Sequence, residues 1–91
     1  MRVRCLRSFD QTFERLHQRD QTAVKKALGR LLDYFSGASK PLGLGLRKLR
    51  GSFWEIRASL DKRVLFKLER DIATFVMTGS HDEVSQTLRR R

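Results

Sequence analysis

Cysteine, histidine and acidic side chains are scarce in this sequence, and each scarcity removes a class of protein. Cys5 is the only cysteine, so no disulfide can close within the chain, and His17 and His81 lie too far apart to offer a zinc-ligand spacing. Structural zinc is excluded, and no metal or cofactor is expected. No apolar run approaches the roughly 20 residues that a membrane-spanning helix needs. The N-terminal stretch is broken by Arg2, Arg4 and Arg7 before an apolar signal segment can form, so the chain reads as cytoplasmic, without a membrane partner. Asp and Glu number 10 against 20 Lys and Arg, a formal net charge of +10. A surface of that sign points to nucleic acid phosphates first, ahead of an acidic protein or an anionic membrane.

What is present is one domain's worth of chain. Ninety-one residues with 40% hydrophobic content support a single core over residues 1–91, with no internal repeat and no low-complexity segment. Residues 2–7 alternate basic and apolar, which predicts a short strand, and Cys5 is expected to be a buried strand residue rather than a reactive thiol. Ser8 and Asp10 are good N-cap types, and Phe9, Phe13 and Leu16 return at helical spacing, predicting a helix over residues 10–18 with Asp20 as a second cap. Val24, Ala27, Leu28, Leu31, Leu32 and Phe35 mark the clearest helix, ending before Ser36 and Gly37. Residues 37–45, with four glycine or proline positions, form a loop. The two helices are expected to make a hairpin.

The second half switches to period two. Trp54, Ile56 and Ala58 alternate with Glu55, Arg57 and Ser59, and Val64, Phe66 and Leu68 alternate with the basic and acidic neighbours between them. Both read as half-buried strands. Pairing Ile56 with Phe66 and Trp54 with Leu68 turns the chain at Leu60, Asp61 and Lys62, and sets Glu55 opposite Lys67, Arg57 opposite Leu65 and Ser59 opposite Arg63. Ile72 to Thr78 is apolar on both sides and reads as a central strand. Leu46 to Arg50 is a short strand or extended approach, and the tail from His81 is one helical turn with a frayed basic end at Arg89, Arg90 and Arg91. The fold class is α+β: an N-terminal strand and a two-helix hairpin on one face of a mostly antiparallel sheet of about four to five strands. The other face is expected to be open and basic. Trp54 and Phe66 belong to the core rather than to a base-stacking platform, Phe75 is open between the two, and His17 is a solvated surface residue.

Three segments, Leu49-Arg50-Gly51 leading to Trp54-Glu55-Ile56-Arg57, then Lys62-Arg63-Val64-Leu65-Phe66, then Thr78-Gly79-Ser80-His81-Asp82-Glu83-Val84, together resemble the RelE/ParE superfamily of bacterial toxins. The order of elements matches along essentially the whole chain. The resemblance implies a toxin of a toxin-antitoxin pair. In its RelE branch that means a ribosome-dependent endoribonuclease cutting mRNA by attack of a 2′-hydroxyl on the scissile phosphate, with no metal or small-molecule cofactor. It further implies a cognate antitoxin as partner.

Carried over position by position, Arg57 takes the place of a strand-end basic residue, Arg63 that of the hairpin arginine at the scissile phosphate, and His81 that of a basic residue or histidine after the glycine. These three form the implied catalytic set. An imidazole ordinarily titrates near neutrality and can give or take a proton there. Arg47, Lys48, Arg50 and Lys67 are the candidate phosphate-binding residues. Asp82 is placed to orient His81 or to cap the tail, and Glu55 is either a general base or, as the preferred reading, a cross-strand ion pair with Lys67. Glu55 stands where some RelE members carry lysine, and Ser85 where many carry tyrosine or phenylalanine. Two alternatives follow: a ParE-like poison of DNA gyrase, and a catalytically decayed basic binding module.

Overall fold

The computed structural model describes residues 1–91. Its elements run β1 (Arg2–Cys5), α1 (Arg7–Glu14), α2 (Gln18–Phe35), β2 (Arg47–Lys48), β3 (Phe53–Arg57), β4 (Arg63–Glu69), β5 (Ile72–Gly79) and α3 (His81–Arg89). The five strands form one sheet in the order β1-β5-β4-β3-β2. β1 pairs parallel with β5, and every other pairing is antiparallel. The α+β class, the N-terminal strand and the central place of Ile72–Thr78 are as the sequence predicts.

Helix α1 starts three residues earlier than its capping signals suggest. Leu6 is the N-cap and offers no side-chain cap. Ser8 and Thr12 are used instead to fasten the helix to β5: Ser8 Oγ donates to the Val76 carbonyl, and Thr12 Oγ1 accepts from the Thr78 backbone N–H at 3.0 Å. Asp20 is likewise not a cap. His17 takes that position, with Nδ1 accepting from the Arg19 N–H at 3.2 Å, and Asp20 lies in the first turn, where a carboxylate suits the positive end of the helix dipole.

Two hydrophobic clusters lie on opposite faces of the sheet. On one, Phe9, Val24, Ala27 and Leu31 of the helical hairpin close over Ile56, Val64, Phe66, Ala73 and Phe75. Trp54 packs at the rim of this cluster, so Trp54, Phe66 and Phe75 are all core residues. On the other, Val84 of α3 covers Leu65, Val76 and Met77, with Leu6, Leu49 and Phe53 around them. β5 serves both because a bulge opposite Leu65 and Phe66 leaves Val76 as an extra residue, so that Phe75 points to one cluster and Met77 to the other.

This second cluster corrects the expectation of an open face. The tail is not a single turn but a nine-residue helix laid across that face, started by a capping box in which Ser80 Oγ accepts from the Glu83 N–H and Glu83 Oε1 accepts from the Ser80 N–H. The chain therefore has three helices, two on one side of the sheet and one on the other.

The β3–β4 register also differs from the expected one, by two residues: Trp54 faces Phe66, Ile56 faces Val64 and Arg57 faces Arg63. A shift of two keeps every side chain on its face, so alternation alone does not choose between the registers. The loop does, since Ala58 and Ser59 donate to the Lys62 carbonyl at 2.9 and 3.2 Å and close the hairpin there.

Candidate functional site

The corrected register assembles the site. Arg57 is the Cα partner of Arg63, and Arg63 is the Cα partner of Gly79, so the ends of β3, β4 and β5 form one transverse row. Two residues beyond Gly79, His81 opens α3 and is exposed. The three residues of the implied catalytic set are thereby gathered at one end of the sheet. Each strand end is pinned. Thr78 Oγ1 donates to the Arg63 carbonyl at 2.8 Å, and the Arg57 N–H donates to the carbonyl of buried Leu44 at 2.8 Å. Gly45 has φ +63, and a Cβ there would come within 3.0 Å of the Arg57 Cβ. Both the positive φ and the tight approach to this arginine favour glycine here.

Beside the row lies an ion triad centred on one buried carboxylate. Glu55 is 1% exposed, and its Oε2 accepts from Arg63 at 3.2 Å and faces Arg47 at 3.3 Å. The preferred reading of Glu55 as an ion pair holds, but the partner differs: Lys67 bonds Glu69 at 3.3 Å and lies 5.6 Å over the Phe53 ring. A buried carboxylate shared by two guanidinium groups is an anchor for both. Arg63 has five N–H donors, and its bond to Glu55 uses only one of its nitrogens.

The four candidate phosphate-binding residues are not gathered in the same way. Arg47 pairs directly with Glu55 and stands beside the row, 62% exposed. Lys48 pairs with Trp54 and so belongs to the opposite face of the sheet. Arg50 donates to the Leu88 and Arg91 carbonyls, where its charge complements the C-terminal end of α3. Lys67 is four residues along β4 from Arg63, roughly 13 Å at strand rise. Asp82 is exposed in the first turn of α3, in a position to complement the helix dipole.

Two features of the site are not apparent from alternation of residue types. Lys62, which bonds Asp61 at 3.3 Å, lines a recess beside Gly79 together with Thr12, Arg15, His17, Asp20, Thr78 and Glu83. The Lys62 hydrogen bond, and then its charge, lower the Asp61 carboxyl below its ordinary range. The helix that carries His81 is signalled by the Ser80-x-x-Glu83 spacing, the one local pattern in the basic tail that marks a helix start.

Cys5 is exposed, not buried, because β1 is an edge strand whose four residues all reach solvent. Partial desolvation, and secondarily the charge of Asp10, raise its thiol above the ordinary cysteine value. Because the thiolate is the nucleophile, Cys5 is expected to react with a disulfide reagent at pH 7.5 several-fold more slowly than a free cysteine peptide. Equal or faster reaction would contradict this assignment.

No family profile matches the chain, and no curated protein sequence does. Solved structures do. YafQ from E. coli strain BL21(DE3) superposes with a TM-score of 0.76 at 16% identity, over 92% of this chain and 98% of that one. YafQ in the E. coli DinJ-YafQ complex gives 0.75 at 17% identity over the same shares. The RelB-RelE antitoxin-toxin complex from Methanococcus jannaschii gives 0.69 at 14% identity, over 93% of this chain and 98% of its counterpart. The chain shares the fold of these YafQ and RelE structures, which is the fold that the three sequence segments imply.

Proposed function

We propose that the chain is the toxin of a toxin-antitoxin pair and cuts mRNA on the ribosome, in the cytoplasm, by internal attack of a 2′-hydroxyl on the neighbouring phosphate. The observation that carries this reading is the row of Arg57, Arg63 and Gly79 at the ends of β3, β4 and β5, with His81 two residues beyond its last member. In such a cleavage the 2′-oxygen loses its proton and bonds to phosphorus, the bond from phosphorus to the 5′-oxygen breaks, and that oxygen takes up a proton. The row supplies what the reaction asks for. Arg63, held by Glu55, and Arg57 beside it stabilise the added charge on the phosphorane oxygens. His81 exchanges the proton. Arg47 extends the positive surface along the same edge.

A cognate antitoxin is the expected protein partner, as DinJ is for YafQ and RelB for RelE in the complexes that share this fold. A chain of net charge +10 gains most from a partner that covers it with acidic side chains.

The test is induced expression of the chain without a partner in a bacterial host, following growth while mapping mRNA 5′ ends. Arrest with cuts clustered at codon positions of translated messages is the expected result. Arrest with intact messages and a DNA-damage response would favour a gyrase poison, and undisturbed growth a decayed binding module.

A further inference from the structure

A second group of cations lies on the far side of Arg57 from the reactive row. Arg19, Lys26 and Arg30 recur at i, i+7 and i+11 along α2, so they fall on one side of the helix and span roughly 16 Å of its length. Together with Arg57, Gly43 and Ala58 they line a recess of about 430 Å³. No carboxylate is among its nine lining residues. None of the four cations is in an ion pair: every salt bridge of the chain is made by Arg47, Lys62, Arg63, Lys67 or the N-terminus. Most other lysines and arginines are likewise outside any ion pair, but every other recess lined by cations includes a carboxylate, Glu69 in two of them and Asp20 with Glu83 in the third.

Lys26 and Arg30, four residues apart on one helix, repel each other and destabilise α2 slightly. Four unpaired cations around a recess without an acid form a ready site for a polyanion. Arg57 borders this recess and also belongs to the Arg57–Arg63–Gly79 row, so the two positive surfaces are continuous at that residue.

We infer that the recess between α2 and the end of β3 is a second site for the RNA phosphodiester backbone, taking up the stretch of chain that runs on past Arg57 from the reactive row. The inference rests on the proposed action on RNA. It adds a binding track on the helical side of the molecule, remote from bond cleavage, whose role is to fix the register of the strand.

The experiment measures binding of a fluorescent 30-nucleotide single-stranded RNA of mixed sequence across a KCl series. It compares the native chain, the triple variant Arg19→Gln, Lys26→Gln, Arg30→Gln, and a control triple variant Arg2→Gln, Arg7→Gln, Arg70→Gln. The two variants lose the same net charge, so they separate a local site from a general field. For single strands the slope of log K against log salt falls by about 0.7 for each phosphate contact removed, so the recess variant should lose about 2 from the slope and the control much less. Equal losses in the two variants, or an unchanged slope in the recess variant, would overturn the proposal. So would tripolyphosphate binding that depends on the three residues while RNA binding does not, since that would make the recess a small-anion site. If the recess variant shows the expected slope while the native chain cuts no RNA, the nuclease reading fails and the backbone site stands.

Discussion

Replacing Arg63 by alanine is expected to lower folding stability by about 3 kcal/mol, well beyond what an ordinary surface arginine contributes. The reason lies beside the reactive row and not in it. Glu55 is 1% exposed, and without Arg63 its only remaining counter-charge is Arg47, which is 62% exposed and free to swing into solvent. A buried carboxylate left with so little compensation is costly, whereas Glu55→Gln leaves an uncharged group in the same space and a partly exposed Arg63 that water can reach. That variant should lose only about 1 kcal/mol. For a domain of this size each kcal/mol moves Tm by about 4–8 °C, so thermal denaturation should separate the two variants clearly. If Arg63→Ala melts within a few degrees of the native chain, Glu55 is not held in the way the geometry indicates.

The stability effect bears on how activity data are read, because loss of toxicity in Arg63→Ala mixes unfolding with lost chemistry. Arg63→Lys separates them. An ammonium can still neutralise Glu55, but it cannot bond the carboxylate and a phosphate through one planar fork. It should retain most of the stability and lose most of the cleavage.

The second large effect is expected at His81. Its side chain is exposed at the first position of α3, and the capping box that starts the helix is made by Ser80 and Glu83, so His81→Ala should leave Tm unchanged within a degree or two. If the imidazole carries a proton during cleavage, the same variant should cut translated mRNA about 10²- to 10⁴-fold more slowly and relieve growth arrest. Undiminished toxicity would remove His81 from the reacting set and leave the row as a binding surface of two arginines.

The parts of this structure that were legible in the sequence are those decided locally. Val24 to Phe35 repeat at helical spacing, and Trp54 to Ala58 and Val64 to Leu68 alternate, and each became the element its period predicts. The errors fall where two local readings were equally good or where a distant contact decided between them. The β3–β4 register was degenerate under a shift of two, and the closure of the loop on Lys62 broke the tie. Ser8 looks like a cap, yet its hydroxyl bonds Val76, 68 residues away. Cys5 alternates like a buried strand residue, but nothing in the alternation shows that its strand is an edge.

For the candidate site, Arg57, Arg63 and His81 were singled out through the family-like segments, while the Glu55 triad with Arg47 needed the three-dimensional register. The recess on α2 was hidden for another reason. Its four cations are spread over 39 residues of sequence, and each looks like an ordinary solvated charge until they are seen to share one concavity with no acid in it.

The parallel pairing of β1 with β5 links residues about 70 positions apart. Such a closure is entropically slow, and it cannot begin until β5 has been synthesised. The reactive row needs the same strand, since Gly79 is its third member. During synthesis the first two helices can form, and the hairpin of β3 and β4 after them, while the row is still missing its third member. If the chain acts as proposed, it acquires that activity among the last steps of its folding, which leaves an interval in which a partner protein can meet it while it is still harmless.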